Sequence, residues 1–117
     1  MHEYGMCDGI VDAIQRRAAG RRVARVKVRV GVMHRIVEDA FQHAFAHAAE
    51  GTEANNAAVD IVIVPVKVAC RSCGSTFDSE ELAIACASCS GVDLDLAGGD
   101  ELILESIEYD PANSDRV

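Results

Sequence analysis

Four cysteines recur in two equal spacings, Cys70-x-x-Cys73 and Cys86-x-x-Cys89, with twelve residues between the pairs. Each pair places two thiolates on one tight turn, and two such turns facing each other present four sulfurs as a tetrahedron. Zn²⁺ adopts this geometry in closed, structural sites. Four sulfurs leave no open position for a substrate, so the spacing predicts a structural metal site and says little about function.

A redox dithiol is the competing interpretation of these cysteine pairs. Redox C-x-x-C motifs usually begin a helix that follows a strand, whereas these pairs lie in turn-rich sequence with Gly74 and Gly91 close by. We therefore favour zinc. A catalytic metal centre is disfavoured as well, because no set of ligands with an open position and a general base accompanies the cysteines.

The chain opens with Met1-His2-Glu3, directly ahead of a predicted helix. A histidine at the second position, taken alone, is most often a disordered terminal residue. However, a free α-amine, the amide nitrogens that follow and an adjacent imidazole can close chelate rings in one plane. Tetragonal nitrogen sites of this kind suit Ni(II) or Cu(II) rather than Zn(II).

Other residues with metal-binding chemistry have simpler interpretations. Cys7 falls on the apolar stripe of the first predicted helix, so we expect a buried small hydrophobe rather than a nickel ligand. His43 and His47 are spaced i, i+4 and could chelate a metal from one helix face. They lie off the apolar stripe and no third ligand is evident, so we expect solvated histidines. The pattern assigns no role to His34.

Charge is distributed unevenly along the 117 residues, whose net charge is −8. Residues 1–35 hold eight basic residues against three acidic ones, and residues 36–117 hold three against sixteen. A nucleic-acid-binding zinc ribbon would place basic side chains on its metal-bearing part to neutralise phosphates. The acidic cysteine segment therefore argues against nucleic acid as a partner.

The N-terminal residues do not predict a signal peptide, and no segment predicts a membrane span. Glu3 and Asp8 interrupt any apolar signal segment, and no apolar run is long enough to cross a bilayer. We expect a cytoplasmic protein with no membrane partner, in which C-x-x-C pairs bind metal more often than they form disulfides.

Hydrophobic periodicity predicts two helices and three strands. The helices cover about residues 4–19 and 36–49, the second with an apolar stripe of Val37, Ala40, Phe41, Ala44, Phe45 and Ala48. The first strand alternates Val26, Val28, Val30 and Val32 with Arg25, Lys27 and Arg29. We expect this basic face to be solvated, and the alternative is a docking surface for an acidic partner. Residues 59–68 and 101–108 are the other strands, and Pro65 predicts that one end of the former lies at a sheet edge or leaves the sheet.

These elements predict an α+β fold: a three-stranded sheet with two helices on one face, plus an inserted zinc-ribbon module. The simplest architecture inserts the module between two neighbouring antiparallel strands, with Gly98 and Gly99 as a hinge. The predicted domains are residues 1–68 with 100–110, a zinc-binding segment 69–99, and a flexible tail 111–117. Zinc must hold the segment, because it has too few apolar residues for a core of its own.

From residue 1 to about 109 the chain resembles the HypA/HybF family of hydrogenase-maturation nickel metallochaperones. The resemblance rests on Met1-His2-Glu3, the valine-rich strand ending at Gly31, the Phe41/Phe45 helix, the two C-x-x-C pairs and the closing Glu105-Ser106-Ile107-Glu108. Two positions depart from the family pattern. Ala87 stands where proline is frequent, and Ser90 separates Cys89 from Gly91.

The resemblance implies a non-enzymatic protein that carries Ni(II) and holds structural Zn(II). It implies nickel ligation by the Met1 amine, the His2 imidazole and nearby amides, with Glu3 in or next to the site. Zinc would be bound by Cys70, Cys73, Cys86 and Cys89. The implied partners are a HypB-type GTPase and the large-subunit precursor of [NiFe] hydrogenase, with urease served by some members, and the carrier itself would be a monomer or homodimer. The alternative function is a zinc-ribbon module that binds protein or nucleic acid without nickel transfer.

Overall fold

The computed structural model describes residues 2–81 and 85–111, and its contacts divide the chain into two compact units. Unit one comprises residues 1–28, 36–62 and 103–117, and unit two comprises residues 29–35 and 63–102. Met1, residues 82–84 and residues 112–117, including most of the predicted tail, lie outside the description.

Two helices and two three-stranded sheets make up the fold, which confirms the predicted α+β class. The elements are α1 (His2–Ala18), β1 (Val23–Gly31), a short 3₁₀ helix (Val32–His34), α2 (Glu38–Ala49), β2 (Ala58–Val64), β3 (Val66–Cys70), β4 (Thr76–Ser79), β5 (Leu94–Ala97) and β6 (Leu102–Tyr109). Neither helix has the length and hydropathy to cross a membrane, a finding limited to the described residues.

The core of unit one is built from the stripes that the periodicity predicts. The largest of its fully buried side chains are Ile14, Val26, Val28, Phe41 and Phe45. Val37 was expected in the α2 stripe but precedes the helix and is 62% exposed. On the opposite side of β1, Arg25 and Lys27 are exposed but paired, with Arg25 Nη1 2.8 Å from Asp60 and Lys27 Nζ 3.7 Å from Glu105, whereas Arg29 is half-buried.

The first sheet has the order β2-β1-β6, so the prediction that the metal module connects neighbouring strands is wrong. β2 and β6 flank β1 on either side. The predicted strand 59–68 is also interrupted at Pro65, which ends β2, and β3 begins one residue later in the other sheet. Proline has no N–H to donate, so the ladder cannot continue through this position.

The second sheet, β4-β3-β5, belongs to unit two and was not predicted. Both outer strands run antiparallel to β3, with Val68 opposite Phe77 and Leu96. Unit two therefore takes in β3 and residues 29–35 in addition to the predicted segment 69–99. Gly98 and Gly99, the expected hinge, lie within unit two, where Gly99 is buried and its carbonyl accepts a 2.7 Å hydrogen bond from the Met33 N–H.

Candidate metal centres

The two cysteine turns of unit two have the same backbone hydrogen bonding. In the first turn, Gly74 N–H donates to the Cys70 carbonyl and Cys70 N–H donates to the Ser75 carbonyl, both at 2.9 Å. The second turn repeats this sixteen residues later. Its bonds run from Ser90 to Cys86 at 2.9 Å and from Cys86 to Gly91 at 2.7 Å. Each turn thereby places two sulfurs on the same side of the backbone.

The four sulfurs converge on one point. Their Sγ atoms all lie within 4.8 Å of one another, and the pairs Cys70–Cys89 and Cys73–Cys86 are each 3.7 Å apart. A tetrahedron with Zn–S bonds of about 2.3 Å has S–S edges of about 3.8 Å. The separations therefore fit a zinc ion at the centre and far exceed a disulfide bond length.

The polar surroundings of the sulfurs favour thiolates in part of the cluster. The Ser75 hydroxyl, 3.2 Å from the Cys73 sulfur, lowers the pKa of Cys73 to about 6. The backbone N–H groups of Cys89 and of Ser88, the latter 3.3 Å from the sulfur, lower the pKa of Cys86. The Gly91 N–H acts in the same direction on Cys89, but the neighbouring cysteines outweigh it and raise the Cys89 pKa to about 11. A cation among the sulfurs would favour their deprotonated forms.

Arg71 fixes the first cysteine turn to the adjacent strand. Its Nε lies 3.0 Å from one carboxylate oxygen of Asp95 and its Nη2 is hydrogen-bonded to the other, while Asp93 is 3.7 Å from Nη1. The Arg71 N–H also donates to the Asp93 carbonyl at 2.9 Å. The bidentate contact between Arg71 and Asp95 lowers the pKa of Asp95 and holds the first cysteine turn in register with β5.

His2 and Glu3 form the first turn of α1 in unit one. The His2 side chain is half exposed, and its Nδ1 lies 3.7 Å from Glu3 Oε1. Glu3 is only 3% exposed, and its other oxygen accepts a 3.1 Å hydrogen bond from the Val37 N–H at the start of α2. This bond is the main cause that lowers the pKa of Glu3 to about 2. Met1, the remaining predicted nickel ligand, lies outside the described residues.

Sequence reasoning missed the burial of Glu3, because an acidic residue at a chain end is usually solvated. The sequence feature that could have indicated this burial is Val37, which has no side chain able to cap α2 and so leaves an N–H at the helix start in need of an acceptor. Cys7 is fully buried as predicted, and its Sγ lies 3.6 Å from the Phe41 carbonyl. His34 contacts the Asp100 carbonyl at 2.8 Å and is not part of the cysteine cluster.

The fold and the clustered cysteines define an α+β protein of two units with a group of four sulfurs that could hold a metal ion. The sequence profile described as "Hydrogenase/urease nickel incorporation, metallochaperone, hypA" matches residues 1–109. The chain therefore belongs to the HypA family of metallochaperones in hydrogenase maturation.

Individual relatives agree with this assignment. The hydrogenase maturation factor HypA of Desulfitobacterium hafniense is 37% identical over 113 residues, which cover 94% of this chain and 99% of the relative. The factor from Dehalococcoides mccartyi strain CBDB1 is 32% identical, with coverages of 94% and 95%. The solution structure of the Ni metallochaperone HypA from Helicobacter pylori has the same fold, with a TM-score of 0.60 at 24% identity and coverages of 92% and 96%.

Proposed function

We propose that this protein binds Ni(II) at its N-terminus and delivers it during maturation of [NiFe] hydrogenase, with urease as a second recipient. The observation that carries the proposal is the position of His2. It opens α1 with a half-exposed imidazole, in a chain that matches the metallochaperone family from residue 1 to residue 109.

The proposed nickel ligands are the Met1 amine, the His2 imidazole and the first backbone amides. The opening N–H groups of a helix have no acceptor within the helix, so their nitrogens can be deprotonated for a metal without breaking intrahelical bonds. Glu3 contributes through its backbone nitrogen, while its carboxylate, 3.7 Å from His2 Nδ1, adds negative charge beside the cation.

We further propose that Cys70, Cys73, Cys86 and Cys89 hold Zn²⁺. Zinc in a shell of four thiolates supplies no open coordination position and no redox chemistry, so its contribution is to folding. The cysteine turns, together with Arg71 and Asp95, would hold the sulfurs in place around it.

Delivery follows from the openness of the terminal site. Nitrogen ligands in one plane leave the axial positions accessible, so a recipient can replace them one at a time. Amine, amide and imidazole must all lose protons before nickel binds, so affinity falls as pH decreases. No bond of a substrate is made or broken, and the protein acts as a carrier rather than an enzyme.

The proposed partners follow from the family. A HypB-type GTPase and the large-subunit precursor of [NiFe] hydrogenase are the proteins expected to give and receive nickel, in the cytoplasm. Neither exchange requires nucleic acid or a membrane.

Nickel titration of untagged, zinc-loaded protein by calorimetry tests the terminal site. His2→Ala and a protein carrying Gly-Ser-Gly-Ser ahead of Met1 should each lose the tight nickel equivalent, while zinc content stays unchanged. The longer extension is needed because a single added residue places the histidine third from the amine, where it can close a new chelate. His34→Ala, a histidine change in the other unit, should bind nickel as the parent does. Equal nickel affinity in the extended protein would refute the terminal site.

A further inference from the structure

His43 and His47 lie one turn apart on α2, and both side chains are exposed. They line one open cavity of about 400 Å³, together with Glu50, Asn55 and Asn56. Side chains at i and i+4 of a helix have Cβ atoms about 5–6 Å apart, which allows two imidazoles to reach the same ion. Both histidines belong to unit one, outside the cysteine cluster.

The ring of His47 is held in place by two contacts. Its Nδ1 lies 3.2 Å from Glu50 Oε1, and the ring of Tyr4 meets it edge to face, with 5.8 Å between centroids. A carboxylate beside Nδ1 favours a proton on that nitrogen, so Nε2 is the ring nitrogen that would bind a metal ion. The same carboxylate–histidine arrangement orients metal-bound histidines in many proteins and raises their basicity.

We propose that His43 and His47 form a second metal site, which chelates a late first-row divalent ion such as Ni(II) through the two imidazoles. Imidazole is a ligand that suits nickel, copper and zinc. Among the described residues, the cysteines are the one group in which three or more ligand atoms cluster, so water completes the coordination of the histidine site. An ion held by two side chains and exchangeable water is released readily, as suits a transient holding position.

Glu50 is a positioning residue in this site. Its carboxylate lies 3.2 Å from Nδ1 of His47, which leaves Nε2 as the nitrogen available to a metal ion. Loss of such an outer contact typically lowers metal affinity about 10–100-fold. Glu50→Gln should therefore weaken the site by about tenfold, while loss of either histidine should remove chelation altogether.

The test uses full-length, zinc-loaded protein with Gly-Ser-Gly-Ser ahead of Met1, so that the proposed terminal site is blocked. NiCl₂ is titrated by calorimetry, and the broadening of histidine ring signals by Ni(II) is followed by NMR. One saturable equivalent is expected, with the His43 and His47 signals broadened together. His43→Gln and His47→Gln should each abolish it, whereas His34→Gln should leave it intact.

Two results would overturn the proposal. One is the absence of saturable binding in the extended protein, and the other is binding that survives either single substitution, because that means the imidazoles act separately. Circular dichroism and zinc content verify that each variant is folded. Since the terminal site is blocked throughout, failure here leaves the proposed function untouched, and failure of the terminal site leaves this experiment valid.

Discussion

The carboxylate of Glu3 is bonded to the backbone N–H of Val37, the residue immediately before helix α2. A residue at the start of the chain thereby supplies the acceptor that α2 lacks, since Val37 has no capping side chain of its own. The charge also lies at the positive end of the α2 dipole.

Replacement of Glu3 by Gln should destabilise unit one at neutral pH, because the charge-assisted hydrogen bond to Val37 is weakened. The folded-state pKa of about 2 lies below the ordinary value of 4.5, so the contribution is complete above the ordinary pKa and disappears as pH falls through about 2. Urea unfolding, monitored by the ellipticity of the helices, gives the free energy of unfolding of parent and variant. Their difference should be the same at about pH 5.5 as at about pH 7. Asp8→Asn, which alters an exposed acid on the same helix, is the matched control. A stability equal to that of the parent would show that the bond to Val37 contributes nothing.

Cys7 should resist alkylation while unit one is folded. Burial raises its pKa to about 12, so the thiolate is essentially absent at about pH 8. Iodoacetamide applied to metal-free protein should quickly modify Cys73, which is exposed and has a pKa lowered to about 6, and reach Cys7 only in denaturant, as read by peptide mass spectrometry. Equal alkylation rates for Cys7 and Cys73 in native buffer would contradict the burial of Cys7.

Removal of the proposed zinc should unfold unit two selectively. Cys73→Ser removes one of the four thiolates and so lowers metal affinity. The cysteine segment has too few apolar residues to stay folded without the ion. Hydrogen exchange should show loss of amide protection in β3, β4 and β5, with α1 and α2 still protected by the core around Phe41 and Phe45. The matched control is Cys7→Ala, which changes a cysteine outside the cluster and should retain zinc. Full protection in metal-free protein would show that unit two does not need the ion.

Ser90→Gly should stabilise the second cysteine turn. Ser90 has a φ of 63°, whereas its counterpart in the first turn, with a φ of 79°, is Gly74. A left-handed conformation costs a residue with a Cβ about 1–2 kcal/mol, partly offset by the greater entropy that glycine loses on folding. The net gain should be about 0.5–1 kcal/mol in the unfolding of zinc-loaded protein, and Gly74→Ser should lose a similar amount. A destabilised S90G variant would be inconsistent with the equivalence of the two turns.

Gly31→Ala should be strongly destabilising, because an added Cβ would lie 2.0 Å from the Gly99 carbonyl oxygen. Backbone, not a flexible side chain, would have to shift, and overpacking of this kind typically costs about 1–3 kcal/mol. Gly9→Ala is the control, since nothing lies within 4 Å of its Cβ position and alanine favours the helix by about 1 kcal/mol. The melting temperature should fall for Gly31→Ala and rise for Gly9→Ala. A change in the same direction for both variants would rule out the close contact.

Much of the fold could be predicted because the periodicity of apolar residues indicates which side chains are buried. Val26 and Val28 alternate with Arg25 and Lys27 in β1, and Phe41 and Phe45 mark the buried side of α2. The second sheet could not be predicted in this way. β4 and β5 are four residues each and mix polar with apolar side chains, so only their pairing with β3 defines them.

The same distinction between local patterns and contacts made by residues distant in sequence applies to the candidate sites. The cysteine spacing is local and anticipates the convergence of four sulfurs, although metal ligation itself stays a prediction. The contact between Glu3 and Val37 joins residues far apart in sequence, and the support of His47 by Tyr4 is equally remote. Nothing in the pattern around His43 and His47 reveals such support, so they were expected to be merely solvated.

The close approach of Gly31 to Gly99 makes the cysteine-bearing unit discontinuous along the chain. The carbonyls of Gly99 and Glu101 accept hydrogen bonds from Met33 and Gly31, residues translated more than sixty positions earlier. A fragment cut out as residues 63–102 would lose both donors and leave these acceptors to solvent. Expression of this unit by itself therefore requires residues 29–35 to be joined to residues 63–102, since every contiguous stretch that contains both also contains part of unit one.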